Sequence, residues 1–304
     1  MKYLTTPAIN AKSIKLILQK NLKNCLAIIF AAIVLTSCKK DNNTSPSTAI
    51  LTVNNVSYQW GDLSINKKYV SDSIKYNSAG KIDSVISYAE NGVATNRIGF
   101  TYSGNEISLN SPVKDKYTLD SEGRVIMHII EEVQQGTDFI HTERFSYDPN
   151  GYLSKVIMSL NIVGNPETTF SVINYEVKNG NYTKYALSDI EGGAITRQYN
   201  FIYNTSVKIN SPVSLFAPIF SNNTLSNIDK YLNYGKNSVN LLSSVNYSII
   251  NLDKTTSTGT LTAEASINSD KYLTQLNLNG ATITSFPSDN ISPLPRSIKF
   301  SFKK

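Results

Sequence analysis

The sequence predicts an all-β protein: a single large antiparallel meander sheet, curved or rolled, with one short helix packed against it. Three observations carry this. From Ile50 onward apolar and polar residues alternate with period two, in stretches rich in Ile, Val, Tyr, Phe and Thr. A glycine-containing turn unit recurs between those stretches. Helical spacing of apolar residues is scarce. A β-sandwich or a propeller-like array is the alternative arrangement that the same pattern allows.

Residues 1–37 precede that body and differ from it. Lys2, Lys12, Lys15, Lys20 and Lys23 come first, with no acidic residue, and the apolar run Cys25–Leu35 follows. Eleven helical residues span about 16 Å, about half of a ~30 Å hydrocarbon core, so the run suits a secretory h-region better than a membrane span. It ends in Leu35-Thr36-Ser37-Cys38. This resembles the bacterial lipobox, in which the cysteine is acylated and becomes the first mature residue. The resemblance makes Cys38 the lipid-attachment site and 1–37 a lipoprotein signal peptide. Cys25 then leaves with the leader, and no disulfide is possible in the mature chain. Residues 38–48 are polar, contain Pro46 and read as a flexible tether. Residues 49–304 form one β-rich domain, since no later stretch is rich enough in Pro, Gly or charge to divide it.

Within the domain, Ile74 and Tyr76 alternate with Ser73 and Lys75; Ile82, Ile86 and Tyr88 alternate with Lys81, Asp83 and Ser87. Phe145 and Tyr147 continue the pattern, as do Phe201 and Tyr203. The turn unit stands at Tyr76-Asn-Ser-Ala-Gly80-Lys-Ile82, Leu119-Asp-Ser-Glu-Gly123-Arg-Val125 and Tyr147-Asp-Pro-Asn-Gly151-Tyr-Leu153, with degenerate copies around Gly104 and Gly180. Its chemistry is explicit. Asp or Asn accepts bonds from the turn's N–H groups, Pro149 supplies φ near −65°, and Gly takes the left-handed position of a bulged hairpin. Residues 211–240 break the pattern: Leu225, Ile228 and Leu232 have helical spacing and Gly235 suits a C-terminal cap, which predicts a short helix over 224–234. Strands resume at 239–251, 259–267, 272–278 and 296–302.

Tyr147-Asp148-Pro149-Asn150-Gly151-Tyr152-Leu153 resembles the YD repeat of RHS-type proteins, Tyr-Asp-x-x-Gly-Arg-Leu. The copies at 76–82 and 119–125 depart from it at Asn77 and Leu119. Together with the lipobox, the chain is similar over about 70–210 to Bacteroidetes-type lipoproteins with YD-like repeats. That resemblance implies a broad antiparallel sheet and supplies no catalytic residues. Lys39 after the cysteine is not the aspartate that signals inner-membrane retention in enteric-type bacteria. The expected location is therefore the outer membrane, with either face open.

The chain has 29 Lys+Arg against 23 Asp+Glu, a net charge of +6. The five leader lysines account for most of it, leaving 24 basic and 23 acidic residues from Cys38 onward. A near-neutral mature chain lacks the electrostatic footprint for nucleic acid. His128 and His141 are the two histidines. A metal site built on them with Glu131, Glu132 or Glu143 has no recognised ligand spacing, so both read as surface residues on adjacent strands. No G-x-S-x-G, P-loop, G-x-G-x-x-G or H-E-x-x-H stands in the sequence. Neighbouring acids such as Glu131 and Glu132 point to opposite faces of a strand. Tyr58 and Trp60, two residues apart on an edge-proximal strand, share a face and are the candidate ligand-binding pair, because paired aromatics stack on sugar rings. No cofactor is implied. The expectation is a non-enzymatic envelope lipoprotein, held to the membrane by its lipid, that binds a glycan, peptide or apolar ligand or serves as a structural module. A polysaccharide hydrolase with a carboxylate pair assembled by the fold is the alternative.

Overall fold

A computed structural model describes residues 52–59, 69–89, 91–111, 113–134, 136–211, 231–250, 253–280 and 297–303. Their strands are β1 (Thr52–Gln59), β2 (Tyr69–Tyr76), β3 (Ile82–Tyr88), β4 (Ala94–Ser103), β5 (Glu106–Leu109), β6 (Lys114–Leu119), β7 (Val125–Gln134) and β8 (Thr137–Tyr147). They continue as β9 (Leu153–Ile162), β10 (Thr168–Lys178), β11 (Asn181–Ser188), β12 (Ile195–Lys208), β13 (Asn240–Ile250), β14 (Thr256–Ile267), β15 (Leu273–Gly280) and β16 (Ser297–Lys303). Each strand pairs antiparallel with its sequence neighbour, and β1 pairs with β16, so the meander closes into a barrel. Closure removes both sheet edges. The curved or rolled meander of the sequence reading is thus, more specifically, a closed barrel, in place of the alternative sandwich or propeller. The edge-proximal strand expected to carry Tyr58 is β1, which is paired on both sides.

The turn unit folds as its chemistry dictates, four times over. Asp148 Oδ1 accepts the N–H groups of Asn150 and Tyr152 at 2.9 Å each, and Asp120 Oδ1 those of Glu122 and Arg124 at 2.9 Å each. Asn77 Oδ1 accepts from Ala79 and Lys81 at 3.0 Å each. The fourth copy, Asn268-Ser-Asp-Lys271-Tyr272, does the same from Asp270 and Tyr272. The left-handed position is taken by Gly80 (φ 73°), Gly123 (73°), Gly151 (86°) and Lys271 (64°). Each turn is followed by a bulge, at Asp83, Ile126, Ser154 and Thr274, because the flanking pairs skip one residue there. The Ser154 and Thr274 hydroxyls donate to the facing carbonyls of Ser146 and Ser266.

These bulges decide which side chains enter the barrel. After Ile82 the phase slips, so Ile82 and Val85 are buried while Ile86 and Tyr88 are only half-buried, in place of the unbroken alternation the sequence suggests. The inner face is apolar and withdrawn from water: Val53, Val56, Ile74, Val85, Phe100, Tyr117, Leu153, Ile173, Tyr199, Val245, Leu276 and Phe300 belong to one buried cluster. Each fully buried aliphatic or aromatic side chain contributes roughly 1.5–3 kcal/mol. The outer face is polar. On β14 Thr256, Thr258, Thr260, Thr262, Glu264 and Ser266 are exposed, and on β16 Lys299, Ser301 and Lys303.

All four Asx turns, the start of β1 and the end of β16 lie at one end of the barrel, as the alternating strand directions require. We call it the turn end. The helix expected over 224–234 falls mostly on residues outside the described ones, and among the described residues there is no α-helix. What is described of it is a strap, 231–239, that runs over the turn end. Its main chain bonds to three successive hairpins: Asn233 O accepts from Val125 N, Lys236 N donates to Gly151 O and Val239 N to Gly180 O. Gly235 (φ 83°) serves this close approach more than a helix cap, since a Cβ there would lie 2.4 Å from the Gly151 carbonyl oxygen. Tyr231 reaches inward and donates to Asp72 Oδ2 at 2.7 Å, while the buried Tyr234 packs on Phe145 at 5.1 Å.

Candidate binding cleft and a buried histidine cluster

Where the strap crosses the turns it leaves two adjoining clefts that share Gly235 and Lys236. One, of about 660 Å³, is bordered by Glu122, Arg124, Asp148, Asn150 and Asn233. The other, of about 560 Å³, is bordered by Thr52, Tyr76, Tyr152, Asn210, Asn237 and Tyr272. The lining combines tyrosine rings with amides and two cations. Arg124 follows the turn glycine. It donates to Asp120 at 2.7 Å, pairs with Glu122 at 2.8 Å, and lies 4.5 Å from the Tyr147 ring centroid. Desolvation works against the Asp120 carboxylate, but the bonds from the Arg124 backbone and guanidinium and from Glu122 N–H prevail and hold it below the usual range. Lys236 Nζ stands 5.8 Å from the Tyr152 ring centroid.

Tyrosines fix this end. The Tyr147 hydroxyl donates to Val125 O at 2.6 Å, that of Tyr76 to Val53 O at 2.7 Å, and that of Tyr182 to Lys236 O at 3.1 Å while accepting from Leu153 N at 2.9 Å. The tyrosine that opens a YD-like unit thus ties its own hairpin to the residue that follows an earlier turn or begins β1. From Tyr152 a chain of rings in edge contact runs through Tyr182, Tyr175 and Tyr185 to Tyr199, with centroids 5.5–5.7 Å apart.

The carboxylates bordering the larger cleft, Glu122 and Asp148, are already engaged: Asp148 holds its turn and Glu122 pairs with Arg124. The hydrolase reading therefore has two acids at one cleft, both tied to structural partners.

The histidines correct the sequence reading. His128 is fully buried rather than at the surface. The register Tyr117–His128–Glu143 sets three inward positions in one row across β6, β7 and β8, and Asp115 lies two residues from Tyr117 on the same face. His128 Nε2 stands 2.7 Å from Asp115 Oδ1 and Nδ1 3.0 Å from Glu143 Oε2, with the imidazole stacked on Tyr117 at 4.0 Å. A neutral imidazole has one N–H, so two ring-to-carboxylate hydrogen bonds require either an imidazolium or one protonated carboxyl. Either way the triad holds one negative charge. His141 is part-buried and meets Glu132 at 3.1 Å. Among the described residues no three His, Cys, Asp or Glu side chains are grouped to hold a metal ion.

Of the residues singled out from sequence, Cys38 and Trp60 lie outside the described residues, and so does the side chain of Tyr58. The cleft residues Arg124, Tyr152, Lys236 and Tyr272 were not singled out. Arg124 and Tyr152 occupy the position after the turn glycine, which is the signal that marks them. Lys236 is placed by a strap that no local pattern announces.

No protein-family profile matches the chain, and no curated protein matches it in sequence. Solved structures do match its fold. A porin-like protein from Bacteroides uniformis aligns over 83% of this chain and 98% of its own, at 12% identity and a TM-score of 0.57. A porin-like protein from Bacteroides vulgatus aligns over 83% and 99%, at 12% identity and a TM-score of 0.49. The chain therefore has the barrel fold of the B. uniformis porin-like protein, and at that identity the likeness concerns the fold.

Proposed function

We propose that this is an outer-membrane envelope lipoprotein, acylated at Cys38, whose barrel stands beside the bilayer rather than in it and binds a glycan at the turn-end cleft without catalysis. One observation carries the reading: the polarity of the wall. A bilayer-spanning barrel turns an apolar band about 25 Å tall toward lipid, flanked by aromatic girdles, and keeps polar residues inside. Here the arrangement is reversed, with Thr, Ser, Asn and Lys outside and the apolar cluster inside. Such a wall suits water, and a lipid on Cys38 supplies the membrane attachment instead. The four Asx turns, and the ties made by Tyr76 and Tyr147 at two of them, support kinship with YD-repeat architecture.

The cleft favours a polar ligand over an apolar one. The half-buried Tyr76 and Tyr272 border it beside Asn, Arg and Lys side chains that offer directed donors, a mixture suited to sugar hydroxyls. The test has two arms. Cys38→Ser should release the protein from membranes, and persistent membrane retention would refute the anchor. Calorimetric titration with a panel of envelope oligosaccharides should show binding that Tyr272→Ala and Lys236→Ala each weaken about tenfold; equal binding by the variants would remove the cleft from the proposal.

A further inference from the structure

We infer that the barrel carries a built-in proton-binding site: His128 is held as an imidazolium between Asp115 and Glu143 where a free imidazole is already neutral, so that one proton locks β6, β7 and β8 together and alkaline surroundings unlock them. The register supplies the parts. Tyr117 pairs with His128 and His128 with Glu143, and Asp115 stands two residues before Tyr117 on the same face. His128, Asp115 and Glu143 are 0%, 7% and 6% exposed. One carboxylate faces each ring nitrogen, at 2.7 and 3.0 Å.

A neutral imidazole has one N–H and one lone pair. It can serve one of the two carboxylates and must turn its lone pair on the other. Among the described residues no Lys or Arg pairs with Asp115 or Glu143, so the ring itself must supply the second hydrogen bond and the neutralising charge. Burial alone disfavours an imidazolium. Leaving a second buried carboxylate without its donor is the larger cost. The Tyr117 ring, stacked at 4.0 Å, turns its negative face to the cation. Imidazole is also the strongest base of the three groups when free, so the proton resides on the ring. Asp72, also buried, is served differently, accepting from the hydroxyls of Ser87 and Tyr231 at 2.7 Å each. Three more titratable groups share this inner face. His141 meets Glu132 at 3.1 Å. Tyr175, on β10, stays a neutral phenol, raised well above its ordinary value by burial first and then by Tyr185, Tyr182 and Glu143. A hydrocarbon row in this place would often stabilise the wall as well; what the titratable groups add is a response to pH.

Folding then takes up a proton above about pH 6.5, where the unfolded histidine holds none. The stability it contributes is present in full below that pH, and is lost as pH rises to the point at which the folded ring releases its proton. The experiment uses the full chain, isotopically labelled in the imidazole nitrogens of its two histidines. At about pH 8 the nitrogen spectrum should show both His128 nitrogens protonated, with a His141→Gln chain identifying the His128 signals. Urea unfolding gives the second readout. Between about pH 7 and 8 the folding equilibrium constant of the parent should fall about tenfold relative to that of Asp115→Asn. In that variant an amide N–H meets Nε2, so a neutral ring satisfies both neighbours and no proton is taken up. Should Asp115→Asn fail to fold, Glu143→Gln removes the same demand at Nδ1 and should show the same difference. A neutral His128 ring at about pH 8, or parallel pH dependences of parent and variant, would each overturn the inference.

Discussion

His128 is the residue whose environment constrains it most. Both ring nitrogens face carboxylates and one ring face is covered by Tyr117, so its removal strands Asp115 and Glu143 in a buried place. His128→Ala should cost about 3–5 kcal/mol in urea unfolding, the penalty of leaving a buried charge without its partner; a loss under about 1 kcal/mol would mean the cluster is hydrated. The tyrosines give a second residue-scale prediction. Burial, and then the neighbouring Tyr102, push the Tyr76 phenol up to about 12, and burial raises Tyr147, Tyr185 and Tyr199 further. A phenol that ionises near 10 in the unfolded chain and higher in the barrel contributes stability in full below about pH 10. That contribution is lost as pH rises to and through 12. Phenolate absorbance should therefore rise late and together with loss of sheet signal; smooth titration near 10 with the barrel intact would contradict the burial. The sequence placed His128 and His141 on adjacent strands with Glu132 and Glu143 nearby, as the structure has them, but not the burial of His128. The bulge at Ile126 shifts the phase of β7, so alternation counted along the strand assigns His128 to the wrong face.

The Asx hairpin is the element on which the fold is built, and its chemistry was the most legible part of the chain. Asp148-Pro149-Asn150-Gly151 announces both the side-chain acceptor and the left-handed glycine, and both are present. The copy at 268–272 escaped notice because Lys271 stands where the others have Gly, at the same positive φ of 64°. Lys271→Gly should therefore stabilise the barrel by about 0.5–1 kcal/mol, having removed a strained non-glycine residue. The reverse experiment, Asp148→Ala, should destabilise by about 1–2 kcal/mol, because two turn N–H groups lose their acceptor. Chemical denaturation of the two variants beside the parent chain checks both; a stabilising Asp148→Ala or a destabilising Lys271→Gly would show that the turns do not carry the hairpins. The strap could not be read this way. Leu225, Ile228 and Leu232 suggest a helix from spacing alone, whereas residues 231–239 are held by backbone bonds to three distant turns.

At the scale of the whole molecule, the all-β class was legible but closure was not. Thr52 pairs with Lys303, the two ends of the described chain, and no local pattern records a contact over that separation. What local pattern does record is the polarity of the two faces, and in a closed barrel that polarity decides the solvent. An apolar inner cluster and a Thr-, Ser- and Lys-bearing outer wall are the reverse of what a bilayer-spanning barrel turns toward lipid, and the proposed function rests on that reversal. The most direct test is to produce the chain from Lys39 onward, without leader or lipid, in buffer free of detergent. A monodisperse, sheet-rich protein that unfolds cooperatively and does not enter lipid vesicles is the expected result; solubility only in detergent, or insertion into vesicles, would contradict the proposed placement of the barrel beside the bilayer.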